Sequence, residues 1–274
     1  EGILLQNIGA IAYEQGDLEE AAQLDIQSLQ IYRETGDKNG MCGALSNLAD
    51  ISRVEGLYEE AKNYYKQGLQ IARETGDRPT QGLLLANKSL LNLEVGDFRG
   101  AIELIQQALN LFREMNFPLY EAYTLPRLAR ARAASGQMEA AAQSFRDALA
   151  LQQKLSLKNN QMESLAGLAR LALMSGDLAT AISQVENILD HLNTGGLEGT
   201  DEPVQIYLTC IQVLQAGEDP RASEMLEKAY TMLMVRAGKI KDEALRRSFL
   251  ERAPANRELL ELWQKSRSGS EWKP

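Results

Sequence analysis

Gly16-Asp17-Leu18-Glu19-Glu20-Ala21 returns forty residues later as Gly56-Leu57-Tyr58-Glu59-Glu60-Ala61, and again as Gly96-Asp97-Phe98-Arg99-Gly100-Ala101. Gly136 with Ala141, and Gly176 with Ala181, continue the interval. Further out, Leu5, Leu45, Leu85, Leu125 and Leu165 form a third column, and Leu29, Leu69, Leu109, Leu149 and Leu189 a fourth. Columns unbroken over five copies make an internal repeat the organising feature of the chain. A sixth copy follows with a one-residue slip, carrying Gly217 and Ala222.

Each column has a physical reason. The glycine closes one helix in a left-handed conformation that costs other residues about 1–2 kcal/mol. Asp17, Asp97 and Asp177 follow it and can cap the next helix. The alanines suit a close crossing of two helices, and the leucines suit a core. Between the glycines, apolar residues recur at three- and four-residue spacing, and no segment alternates with period two. In the second copy this predicts helix A from Met41 to Glu55 and helix B from Tyr58 to Glu74. Pro126 interrupts helix A of the fourth copy, predicting a kink or a late start. The first two copies end in Gly36-Asp37 and Gly76-Asp77, the next two in Asn116-Phe117 and Ser156-Leu157.

The pattern Leu5-x-x-Ile8-Gly9 through Gly16-Asp17-Leu18-x-x-Ala21 resembles the tetratricopeptide repeat. The six extra residues per unit resemble the long version in kinesin light chains, Leu-Gly-Asn-type adaptors and MalT-type bacterial regulators. The resemblance spans about residues 2–237 and implies an all-α fold, a right-handed α-solenoid of about six helix-turn-helix units. The units fall at about 1–40, 41–80, 81–120, 121–160, 161–200 and 201–237, forming a superhelix over 1–237. Asp25, Ile105 and Val185 stand where the family places an aromatic such as Tyr65 or Phe145. An open stack exposes the apolar face of its last unit, so residues 238–266, with helical patterns over Asp242–Leu250 and Asn256–Trp263, are expected to cap it. Residues 267–274 are expected to be a flexible tail. The closing segment resembles that of large bacterial regulators in which such repeats follow a cyclase, kinase or STAND-type ATPase. The start at Glu1-Gly2-Ile3, with neither initiator Met nor basic leader, is read as that of a piece of a longer protein.

Composition narrows the function. The net charge of −9 argues against generic nucleic-acid binding, which needs a dense basic face. No apolar run reaches the roughly 18 residues of a membrane span. Residues 121–174 nevertheless carry seven Lys/Arg against four Asp/Glu, a locally basic stretch. Cys42 and Cys210 lie in helical patterns several layers apart, so they are read as reduced, buried thiols of a cytoplasmic protein. One histidine, His191, stands in the core column of Ile31, Ile71, Leu111 and Leu151 and is read as structural. One His and two distant Cys make no zinc site, there is no phosphate loop, and Gly195-Gly196 lacks a preceding strand. No convergent catalytic set appears, so the expectation is not an enzyme, with no cofactor and no metal.

In a stack of this kind helix A lines the concave face, a groove suited to a peptide or helix. The resemblance implies that the inner column Asn7, Asn47, Asn87, Arg127 and Gly167 is displayed there. Asparagines at this place clamp the main chain of a bound peptide, or bond to neighbouring helices and order the stack. The adjacent column is Ala10, Asp50, Leu90, Arg130 and Arg170, with Arg53 one turn beyond Asp50. Arg127, Arg130 and Arg170 form a basic patch suited to carboxylates. Leu83, Leu93, Tyr13 and Tyr123 are apolar groove candidates. The expectation is therefore a scaffold or sensor module binding a protein or peptide, with acidic groups as a candidate feature of it. Self-association through apolar residues near Ile3, Leu4 and Leu5 is the alternative.

Overall fold

One backbone device closes the A–B turns: Gly16, Gly56, Gly96, Gly136 and Gly176 have φ of 82, 77, 81, 83 and 82°. The computed structural model describes residues 1–268, with fourteen α-helices and no strand among the described residues. Of the tail expected at 267–274, residues 269–274 lie outside the described residues, and Arg267 and Ser268 complete the last helix.

The helices pair in chain order. α1 (Gly2–Gln15) packs on α2 (Leu18–Thr35), α3 (Lys38–Val54) on α4 (Tyr58–Thr75), and α5 (Arg78–Glu94) on α6 (Phe98–Glu114). Similarly, α7 (Pro118–Ala134) packs on α8 (Met138–Lys154) and α9 (Lys158–Met174) on α10 (Leu178–Leu192). α11 (Pro203–Ala216) and α12 (Arg221–Ala237) are the helices of the sixth copy, before α13 (Glu243–Arg252) and α14 (Pro254–Ser268). The chain forms two compact units, residues 1–116 with 234–253 and residues 117–233 with 254 onward. Within the first, A helices α1, α3 and α5 touch in succession; within the second, α7, α9 and α11 do. The fold is an α-solenoid of helical repeats.

The repeat columns are the packing. Ala21, Ala61, Ala101, Ala141 and Ala181 are all 0% exposed, at the crossings of paired helices. The leucine columns are buried except Leu5 and Leu149, which are half-buried. Asp17, Asp37, Asp77, Asp97 and Asp177 each accept a bond from the backbone N–H three residues on, satisfying donors the helix start leaves open. Where the B-helix end lacks glycine the left-handed turn persists, at φ 56° on Asn116 and 58° on Ser156. In the sixth copy it falls on Glu218, at 54°, and not on Gly217, at −89°. The glycine there takes an ordinary conformation and the strained one passes to a side chain.

Pro126 neither delays nor breaks α7, contrary to the expected late start; the helix begins at Pro118 and continues through it. A proline deprives the carbonyl four residues back, that of Ala122, of its helical donor. Gln152 of α8, 0% exposed, supplies the replacement by donating Nε2–H to Ala122 O at 3.1 Å. Its Oε1 accepts the hydroxyl of Ser164 from α9 at 2.8 Å. One buried amide thereby ties α7, α8 and α9 and leaves no orphaned polar group.

The C-terminal segment divides at Ala253. α14 lies on α11 and α12, with Leu259 fully buried, Gln212 bonded to Glu258 at 2.7 Å, and Trp263 stacked on Tyr230 at 4.1 Å. Residues 234–253 lie in the first unit, over its A–B turns: Ser248 Oγ donates to Glu55 O and Arg252 to Gly56 O, and Lys239 Nζ to Gln15 O.

Two predictions follow from these local rules. Ser156→Gly and Glu218→Gly should each stabilise the chain by roughly 0.5–1 kcal/mol, because glycine removes the left-handed penalty; denaturant melts measure it, and destabilisation by either would contradict the reading. Gln152→Leu should cost about 1–3 kcal/mol by stranding Ala122 O and Ser164 Oγ. Adding Pro126→Ala should return part of that loss by restoring the N–H, so a double-mutant cycle should show coupling.

Candidate binding surface

In the first unit the A-helix polar column bonds back to the helices before it, Asn47 to the B helix α2 and Asn87 to the A helix α3. Asn47 of α3 is half-buried and donates Nδ2–H to Asp25 Oδ1 of α2 at 2.9 Å. Asp25 holds the place that Tyr65, Ile105, Phe145 and Val185 fill in other copies, and all five are buried. Asn87 of α5 donates to Asp50 Oδ2 at 2.9 Å, and Tyr65 Oη–H donates to Asp50 Oδ1. Arg53, almost buried, pairs with Glu94 of α5, while its buried Nε lies 3.9 Å from Asp50 Oδ1. Asn7 is exposed. The donors of Asn47 and Asn87 are thus engaged with acids of the stack itself.

Burial raises two carboxyl groups of this unit above the ordinary range. Burial pushes Asp25 up to about 6, against the Asn47 hydrogen bond that lowers it. Burial likewise pushes Glu55 up to about 7, helped by Glu60, Asp242 and Glu19. Burial also raises the thiols of Cys42 to about 11 and Cys210 to about 12, so both stay protonated and unreactive.

The second unit brings two of the three predicted patch arginines onto an acidic segment of its own chain. Arg127 of α7, 9% exposed, grips Asp201 with Nε at 2.6 Å and Nη2 at 2.8 Å, a bidentate fork. Arg130, one turn along, pairs with Glu202. Arg170 of α9 is exposed. At Gly167, a Cβ would fall 2.2 Å from the Phe145 ring, so the fifth copy's position in the asparagine column is filled by an aromatic from α8.

Asp201 and Glu202 end the ten-residue link between α10 and α11, residues 193–202, whereas α8 passes to α9 through three. Side chains of α9 hold its main chain: Asn159 Nδ2 donates to Glu198 O at 2.9 Å and Asn160 Nδ2 to Gly199 O at 3.0 Å. Glu163 accepts both the Asp201 and Glu202 amides on one oxygen. Its carboxyl is pushed above the usual range by burial and by Asp201, against the pull of Arg130, with Glu202 adding to the rise. His191 Nε2 lies 3.0 Å from both Gly196 O and Asn159 Oδ1. With oxygens on both sides that nitrogen carries the proton, and the histidine steadies the link.

Sequence reasoning overlooked Asn159, Asn160, Glu163 and the link itself. The available signal was Asn193–Glu202, which breaks the apolar periodicity with Gly195, Gly196 and Gly199 and ends in two acids.

The sign of one pH effect follows. Asp25 titrates near 3.8 when unfolded and near 6 when folded, so its contribution is full below about 4 and lost as pH rises through 6. Asp25→Asn should match the parent at pH 4 and exceed it by roughly 2 kcal/mol at pH 7.5. Melting curves at the two pH values measure this, and equal differences at both would refute it.

Tetratricopeptide-repeat models match residues 4–35 and 40–114. No curated protein sequence matches the chain. Among solved structures, it is similar to BtubC (BKLC) from P. vanneervenii, at 20% identity and TM-score 0.63, covering 81% of this chain and 91% of that one. A Rap protein complexed with competence and sporulation factor has 14% identity and TM-score 0.66, covering 97% and 74%. A STAND protein with a tetratricopeptide repeat sensor from Pyrococcus horikoshii has 16% identity and TM-score 0.59, covering 84% of this chain and 36% of that one. At these identities the structures show the fold, and with the repeat matches over residues 4–35 and 40–114 and the forty-residue helix pairs they support a tetratricopeptide-repeat protein resembling kinesin light chains and STAND sensors.

Proposed function

We propose that this chain is a non-catalytic protein-interaction module that takes an extended segment of a partner protein on the A-helix side of its second unit. Arg127, Arg130 and Arg170 meet acidic side chains of that segment, and α9 side chains meet its main chain. One observation carries the reading: Asn159, Asn160 and Glu163 already bond the carbonyls and amides of a non-helical stretch whose acids lie on Arg127 and Arg130. That is the chemistry by which a groove reads a peptide without depending on most of its side chains. In the first unit, Asn47, Asn87, Asp50 and Arg53 serve mainly to order the stack. The buried, free thiols support a reducing, cytoplasmic setting, and no helix among the described residues is long and apolar enough to cross a membrane. The Rap relative was solved in complex with competence and sporulation factor, which supports a ligand-binding use of the fold.

A second reading, self-association, is favoured by α1, where Ile3, Leu4, Ile8 and Ile11 are 68, 62, 41 and 54% exposed. Light scattering across concentrations, repeated on Ile3→Asp/Ile11→Asp, decides it: a monomer at all concentrations removes it.

Screening immobilised peptides should return binders rich in adjacent acids. The triple change Arg127→Gln, Arg130→Gln, Arg170→Gln should weaken them at least tenfold while the melting curve stays cooperative. Retention of the same binders by a folded triple variant would overturn the assignment of this face.

A further inference from the structure

The link at 193–202 is longer than the connection demands, and its last six residues, Leu197-Glu198-Gly199-Thr200-Asp201-Glu202, lie on the proposed binding face. Each of their anchors is polar. Two carbonyls take amide hydrogens from Asn159 and Asn160, two amides converge on Glu163, and two acids meet two arginines. The side chains of Asp201 and Glu202 keep 24 and 28% of their exposure, Glu198 and Gly199 are exposed, and Leu197 is only half-buried. Nothing apolar and deeply buried pins the stretch, and its polar anchors can be exchanged for equivalent ones offered by another chain.

We propose that Leu197–Glu202 is a built-in, displaceable occupant of the second unit's binding face, and that the partner displacing it presents a non-helical segment with glycine followed, after one residue, by two adjacent acids. This rests on the reading of that face as a protein-binding surface and adds its specificity and its control. The two acids are set by Arg127 and Arg130, three residues apart on one helix and therefore on one side of it. Glu163 gathers two successive amides, which turns both acidic side chains toward α7. The glycine is set by Gly199, whose φ of 78° other residues adopt at a cost.

Tethering gives the link an effective concentration in the millimolar range, so a free segment of equal intrinsic affinity competes poorly until the link's own acids are removed. The probe is the fluorescein-labelled, end-blocked hexapeptide Leu-Glu-Gly-Thr-Asp-Glu, titrated by anisotropy into the full chain and into Asp201→Asn/Glu202→Gln. The dissociation constant should fall at least tenfold in the double variant, and adding Arg127→Gln and Arg130→Gln should abolish the gain. Replacing the peptide's glycine by valine should weaken it severalfold. Equal binding to parent and double variant would overturn the occupant while leaving the binding face intact. Binding to neither would overturn the acidic-segment reading of the face, and the occupant with it. Amide exchange in the unaltered chain gives an independent readout: excess peptide should speed exchange at Asp201 and Glu202, and unchanged exchange in the bound state would again overturn displacement.

Discussion

The close crossing of each A helix with its B helix, at an alanine with no exposed surface, is the constraint on which the rest of the structure depends. Ala21, Ala61, Ala101, Ala141 and Ala181 are each 0% exposed, and in a close-packed interior a larger side chain there would force the helices apart. Five residues earlier a left-handed residue reverses the chain at the same point in each of these copies. Within each unit, side chains forty apart therefore occupy equivalent places in successive layers, and the leucines of each column contribute to that unit's core.

A repeat built so regularly must absorb its irregular residues locally. Pro126 opens a gap in the α7 hydrogen-bond ladder, and Gln152 with Ser164 fills it from two neighbouring helices. Asp25 replaces an aromatic in a buried column, and Asn47 of the next A helix gives it a partner. A buried polar group left without a partner is costly, so each departure in one helix is matched by a polar side chain from another. These compensations account for why polar A-helix residues that the family pattern would assign to a ligand are committed to the stack in the first unit.

The second unit uses the same kind of residue differently. There the B-to-A link is long enough to cross α9 and deliver Asp201 and Glu202 to α7, where Arg127 and Arg130 receive them. The locally basic stretch in an acidic chain thus has an internal counterpart. Side chains that bond main-chain carbonyls and amides recognise backbone rather than sequence, with the arginines adding charge selectivity. This arrangement joins the α-solenoid to the proposed binding of an extended acidic segment.

Sequence alone determined the period, the helix pairs, the turn glycines, the aspartate caps and the buried columns, because these are local or repeat every forty residues and register directly as pattern. It also singled out Arg127, Arg130 and Arg170 as a basic cluster. Only the tertiary structure decided that Asn47 and Asn87 are engaged with Asp25 and Asp50, that Gln152 repairs the break at Pro126, and that Glu218 rather than Gly217 carries the left-handed turn. It also brought Asp201 to Arg127, seventy-four residues away, through an aperiodic link. Such pairings depend on where a side chain ends in space after the helices have packed, and hydrogen bonds between distant residues leave no periodic trace in the chain.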